Sequence, residues 1–116
     1  MSSRILVPLD GSEESRLALT HAVAQFPESH IVLLHVIEPF ADHSKAAGHQ
    51  GWRTKQVFEE RQHLLNEIAE REEEYTGTIA TELIYGRPVH VIPQYVETHG
   101  IDEIVIGSRG RGGTAR

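Results

Sequence analysis

Four runs of mainly apolar residues, each of strand length, are spaced along the chain. They occupy residues 5–9, 31–37, 79–85 and 101–106. Short, nearly continuous apolar runs are typical of strands that are buried on both faces of a sheet, and the run at 79–85 alternates enough to form a strand as well. The pattern therefore predicts four strands.

The intervals between these runs carry apolar residues at helical spacing. The first predicted helix begins after Ser12, a favourable N-cap, and stops at Pro27. The second is long, and the third begins at Pro88, is kinked by Pro93 and ends at Gly100. The apolar stripes are formed by Leu19, Ala22, Val23 and Phe26, by Val57, Phe58, Leu64, Leu65, Ile68 and Ala69, and by Val89, Ile92 and Val96.

Strand and helix alternate throughout, which predicts an α/β fold: a doubly wound parallel sheet with helices on both faces. In such sheets ligands bind beyond the carboxyl ends of the strands, where the winding direction reverses. Two turns here follow strand ends, residues 10–12 and the glycine-rich residues 107–113. We expect the strand order 3-2-1-4, which makes these two turns neighbours.

Composition narrows the class of protein. The 116 residues are enough for one domain, and 17 acidic against 11 basic residues give a formal net charge of −6. This balance argues against nucleic acid or an anionic membrane as a partner. The chain has no cysteine, no visible signal peptide and no apolar run approaching the roughly 20 residues that span a bilayer. We expect a cytoplasmic protein.

The glycine-rich residues 107–113 are the strongest chemical signal. Glycines let backbone N–H groups approach a phosphate closely. The segment is not a P-loop, because no Gly-Lys-Ser or Gly-Lys-Thr occurs in it, and it is not a dinucleotide fingerprint, because no strand–helix–strand unit follows.

Other candidate chemistry is weak. Residues 39–54 have no periodicity and are expected to be irregular, with Trp52 packing within them. His43 and His49 in this stretch lack acidic or cysteine partners at ligand spacing, so no metal site is expected. His35 lies within a predicted strand, where we expect a core or rim position with a satisfied hydrogen bond. No arrangement typical of a nucleophilic enzyme occurs.

Taken together, residues 5–12, 34–36, 86–88 and 101–110 resemble the universal stress protein family, in its order and spacing. The resemblance implies a five-stranded parallel sheet and a homodimer. It also implies that residues 1–116 form a single domain that is incomplete at its C-terminus, because the last helix and the fifth strand would follow Arg116.

The resemblance further implies an adenine-nucleotide site. The Val36 backbone would contact adenine, and Pro8 and the Asp10 carboxylate would contact the ribose. The segment after the fourth strand would supply N–H groups from Gly107 and Gly110, a hydroxyl, and cationic side chains near the phosphates. The complete set of implied residues is Pro8, Asp10, Val36, Ile106, Gly107, Ser108, Arg109 and Gly110.

The implied cofactor is ATP, with Mg²⁺. The family's ATP motif has a second half, Gly-Ser or Gly-Thr, that would fall beyond Arg116. We expect a chain without that half to bind ATP weakly or not at all.

Three functions remain open from the sequence. The first is a stress-response regulator that signals by its nucleotide-bound state rather than by turnover, with slow ATP hydrolysis at most. The second is a nucleotide-independent dimerisation or scaffold module of the same family. The third is an adenine-nucleotide-dependent enzyme, which would need a glycine-rich loop after the first strand, where this chain has only Gly11.

Overall fold

The computed structural model describes residues 3–10, 12–38 and 50–107, and for residues 50–54 it describes the backbone alone. Strands and helices alternate along these residues, as the apolar pattern predicts. In chain order the elements are β1 (Arg4–Pro8), α1 (Glu13–Gln25), β2 (His30–Ile37), α2 (Gln50–Glu70), β3 (Thr78–Tyr85), α3 (Pro88–His99) and β4 (Glu103–Ile104).

The strands form one parallel sheet with the order β3-β2-β1-β4, which confirms the predicted order. β2 pairs with β3 along its whole length, whereas β1 pairs with β2 only as far as Pro8 opposite Leu34. The direction of winding reverses between β1 and β4. The carboxyl ends of these two strands therefore border the position where doubly wound sheets bind ligands.

Helices cover both faces of the sheet, which is also as predicted. Alternate residues of β1 point to opposite faces, so Ile5 and Val7 pack on one side and Leu6 on the other. The first side carries residues of α1 and α2, among them Leu19 and Leu65. The second side carries α3, whose Tyr95 packs with Leu6. Each central strand is consequently buried from both directions.

The predicted start of α1 and the predicted end of α3 agree with the structure. The Ser12 side chain accepts a hydrogen bond from the Ser15 N–H at 3.2 Å, which makes Ser12 the N-cap of α1. Gly100 ends α3 with φ 61° and ψ 47°, the left-handed conformation in which glycine is favoured. Pro93 lies inside α3, and the helix continues past it to His99.

Two boundaries differ from the sequence prediction. α2 begins at Gln50, so the backbone of residues 50–54 is helical rather than irregular. This turn has no apolar stripe to reveal it, and Gly51 and Thr54 have low helix propensity, so no local signal predicts a helix there. The predicted strand at 101–106 is reduced to a two-residue ladder, extended by bonds from Asp102 N–H to Arg4 O and from Val105 N–H to Leu6 O. Residues 39–49 lie outside the described part of the chain.

None of the helices in the described residues combines the length and the apolar character needed to cross a bilayer.

Candidate functional site

Several residues predicted for the site lie at the carboxyl edge of the sheet. Asp10 comes two residues after the end of β1, and Val36 is the penultimate residue of β2. Ile106 and Gly107 follow β4, and Pro8 is the last residue of β1. The neighbouring strands bring these segments to the same edge although they come from three separate parts of the chain. Ser108, Arg109 and Gly110 lie outside the described residues.

The backbone of Val36 faces the space beyond the end of β1. In a parallel strand the N–H and C=O of one residue point to the same side, and the side alternates from residue to residue. The carbonyl of Leu34 points to β1, where it accepts a hydrogen bond from Leu9 N–H at 2.8 Å. Val36 is two residues further along, so its N–H and C=O point in the same direction, past the last β1 pair. These groups form a donor–acceptor pair suited to the edge of a base.

Asp10 combines a local structural role with accessibility. Its Oδ1 accepts a hydrogen bond from Ser12 N–H at 2.9 Å, which fixes the turn between β1 and α1. Hydrogen bonds from the Ser12 hydroxyl and N–H lower the pKa of Asp10 below its ordinary value of 3.8. The residue is exposed. An ionised carboxylate is therefore presented at the edge that Val36 also faces, and such a group accepts hydrogen bonds from hydroxyls.

Gly107 packs directly against the first turn of α1. A Cβ atom at this position would overlap the backbone carbonyl of Glu14 and lie 2.9 Å from the nitrogen of Ser15. The glycine is thus required for the approach of the chain to α1. This contact places the start of the glycine-rich segment next to the turn that carries Asp10.

His35 behaves as predicted, and its partner on α2 was not anticipated. His35 is 8% exposed, and its Nδ1 lies 2.6 Å from the Leu9 carbonyl oxygen and its Nε2 2.7 Å from Nη1 of Arg61. The prediction of a satisfied histidine is confirmed. Sequence reasoning missed Arg61, although a signal was present: Arg61 lies one helical turn before the buried Leu65, on the stripe that faces the core.

Other candidates do not form a site in the described residues. No group of three or more His, Cys, Asp or Glu side chains in residues 3–10, 12–38 and 50–107 is arranged to hold a metal ion. His43, His49 and the side chain of Trp52 lie outside what the structure describes. An open cleft of about 240 Å³ occurs at the opposite, amino edge of the sheet; it is lined by Ala69, Glu70, Glu72, Tyr75, Gly77 and Ile79.

The sequence and the fold both match known proteins. The model of the universal stress protein family matches residues 1–116. Universal stress protein MJ0531 of Methanocaldococcus jannaschii is 30% identical over 97% of this chain and 68% of its own length.

Among solved structures, the hypothetical protein MJ0577 is similar with a TM-score of 0.79 and 26% identity, over 96% of this chain and 78% of that one. A universal stress protein family protein from Arabidopsis thaliana, At3g01520, was solved with AMP bound; its TM-score is 0.65 and its identity 22%, over 95% and 79% of the two chains. Another universal stress protein, in complex with cAMP, has a TM-score of 0.61 and 19% identity, over 96% and 80%. With its matched sequence and its parallel 3-2-1-4 sheet, this chain belongs to the universal stress protein family.

Proposed function

We propose that this protein binds an adenine nucleotide at the carboxyl edge of β1 and β2. One observation carries the proposal: the Val36 N–H and C=O point past the end of β1, towards the side on which the ionised Asp10 lies. A donor–acceptor pair next to an accessible carboxylate fits a base joined to a ribose. AMP and cAMP, the ligands of the two similar structures, share adenine, ribose and one phosphate.

In this proposal each residue has a defined contact. The Val36 backbone holds adenine, and Pro8 and Asp10 contact the ribose. Ile106 and Gly107 bring the glycine-rich segment beside this site, where the N–H of Gly110, the Ser108 hydroxyl and the Arg109 guanidinium meet the phosphates. Where the second half of the ATP motif is present, the preferred ligand is ATP with Mg²⁺, and the bound state rather than turnover carries the signal.

The test is calorimetric titration of the intact protein with ATP and Mg²⁺, and with AMP. Replacing Asp10 by alanine removes the acceptor for the ribose hydroxyls, and we expect binding to weaken by about 1–3 kcal/mol. Glu13→Gln is the matched control, because it removes one negative charge from the exposed first turn of α1 without touching the proposed ribose contact.

Two results would contradict the proposal. Absence of binding heat with every adenine nucleotide would leave the nucleotide-independent scaffold as the better reading. Equal weakening by Asp10→Ala and Glu13→Gln would show that the loss does not come from a ribose contact of Asp10.

The proposal extends to a cytoplasmic homodimer, on the strength of the family resemblance. Light scattering of the intact protein measures its mass in solution, and a monomer at micromolar concentration would contradict the dimer.

A further inference from the structure

Arg61, His35 and Leu9 form a chain of hydrogen bonds from α2 to the end of β1. A guanidinium has only donors and a carbonyl oxygen has only acceptor capacity. Nε2 of His35, which faces Arg61 at 2.7 Å, must therefore accept, and Nδ1, which faces the Leu9 oxygen at 2.6 Å, must carry the proton and donate. Both partners thus select the same neutral tautomer of His35, and the ring is held from both ends.

This chain of bonds fixes the turn that carries Asp10. The N–H of Leu9 donates to the Leu34 carbonyl at 2.8 Å, and its C=O accepts from His35, so both backbone polar groups of Leu9 are bonded to β2. Asp10 is the next residue. His35 itself directly precedes Val36. The hydrogen bond between His35 and Leu9 therefore joins the residue before the proposed adenine contact to the residue before the proposed ribose contact.

The contribution of Arg61 is to hold the imidazole in place. Without the guanidinium, Nε2 of His35 would lose its donor in a position that is 8% exposed, and the ring would be held only through Nδ1. A buried polar group that loses one partner reorients or admits water. Either change loosens the Leu9 carbonyl and, with it, the orientation of Asp10.

We propose that Arg61 is a positioning residue for the nucleotide site, acting through the neutral His35 on the Leu9 carbonyl and so on Asp10. This inference rests on the proposed function. Arg61 touches no part of the nucleotide in it; the effect is transmitted entirely through His35.

The experiment compares Arg61→Met with Arg71→Met by titrating adenosine and ATP into the intact protein. Both variants lose one positive charge, and Arg71 is an exposed residue just after α2. We expect Arg61→Met to weaken adenosine and ATP by the same factor, roughly 3- to 30-fold, and Arg71→Met to leave both unchanged. Arg61→Lys, which keeps one donor for Nε2, is expected to restore part of the affinity.

Two further readouts separate positioning from simple stabilisation. In ¹⁵N NMR spectra the imidazole of His35 is expected to carry its proton on Nδ1 in the unmodified protein and to lose this single-tautomer signature in Arg61→Met. In an Asp10→Ala background, Arg61→Met is expected to have little additional effect on adenosine, because Arg61 acts through Asp10.

The outcomes distinguish the two proposals. If the unmodified protein binds neither adenosine nor ATP, the proposed function fails and this inference fails with it. If it binds both and Arg61→Met binds them equally well, only the inference is overturned. If Arg61→Met lost affinity for ATP but not for adenosine, Arg61 would contact the phosphates directly, and the proposal that it is a positioning residue would be overturned.

Discussion

Single residues at the carboxyl edge serve the fold and the proposed site together. Asp10 receives a hydrogen bond from Ser12 N–H and is still exposed. The hydrogen bonds from Ser12 lower the pKa of Asp10 in the folded state below its ordinary value of 3.8. The stability that they give the fold is therefore fully present above about pH 4. It is lost as the pH falls through the lower, folded-state value. Asp10 is therefore charged at any pH near neutrality.

Gly107 gives a prediction at this scale. Gly107→Ala is expected to lower the free energy of unfolding by about 1–3 kcal/mol, because the added Cβ overlaps the Glu14 carbonyl and the backbone of α1 must shift. Urea denaturation measures the loss. The control is Gly100→Asn, where no atom lies within 4 Å of a Cβ and asparagine tolerates the left-handed conformation. Equal losses of unfolding free energy in the two variants would show that overlap with the Glu14 carbonyl is not the cause.

At the scale of elements, α3 shows how position decides the effect of a proline. Pro88 occupies the start of the helix, where its missing N–H has no partner in any case. Pro93 lies inside the helix, where the carbonyl of Val89, four residues earlier, would otherwise accept an N–H. The helix is kept by the burial of Tyr95 and of neighbouring apolar side chains against the sheet.

Pro93→Ala is accordingly expected to stabilise the protein. The new N–H restores a bond to Val89, and the gain is about 1–2 kcal/mol after the greater freedom of the unfolded chain is subtracted. Chemical denaturation of Pro88→Ala serves as the comparison, because that substitution restores no helical bond. The expectation fails if Pro93→Ala is no more stable than Pro88→Ala.

At the scale of the whole molecule, stability comes from packing helices on both faces of one sheet. α1 and α2 share a core with β1 and β2, and α3 forms a second core on the other face. Leu65 of α2 is 1% exposed within the first core, whereas Leu17 of α1 is 60% exposed. A leucine side chain is therefore expected to contribute very differently to the free energy of unfolding at these two positions.

This contrast gives the third stability prediction. Leu65→Ala is expected to cost about 2–5 kcal/mol, because it removes buried methyl groups and leaves a cavity between α2 and the sheet. Leu17→Ala is expected to change the free energy of unfolding by less than about 0.5 kcal/mol. Thermal and urea unfolding of both variants measure the difference, and similar losses would mean that α2 does not pack as described.

Much of the fold could be predicted because local periodicity encodes local structure. Ser12, Gly100 and the apolar runs located the elements, and their alternation implied a parallel sheet with helices on both faces. The first turn of α2, from Gln50, was missed because one apolar side chain, that of Trp52, does not make a periodic signal. The predicted fourth strand was too long, because an apolar run indicates that residues are buried but not how many of them form hydrogen bonds with a neighbouring strand. The fifth strand and the phosphate contacts of residues 108–110 stay predictions.

The sequence by itself determined the class of fold and the family, since those depend on the pattern and spacing of residues along the chain; the strand order expected from it was confirmed by the pairing of the strands. Only the tertiary structure decided how the residues of the candidate site are arranged: that Val36 points its backbone past β1, that Gly107 packs against α1, and that Arg61 Nη1 lies 2.7 Å from His35 Nε2. Arg61 and His35 are 26 residues apart, as are His35 and Leu9. Contacts over such separations depend on strand register and on how a helix is rotated against the sheet. Neither the register nor the rotation can be predicted from a local stretch of sequence.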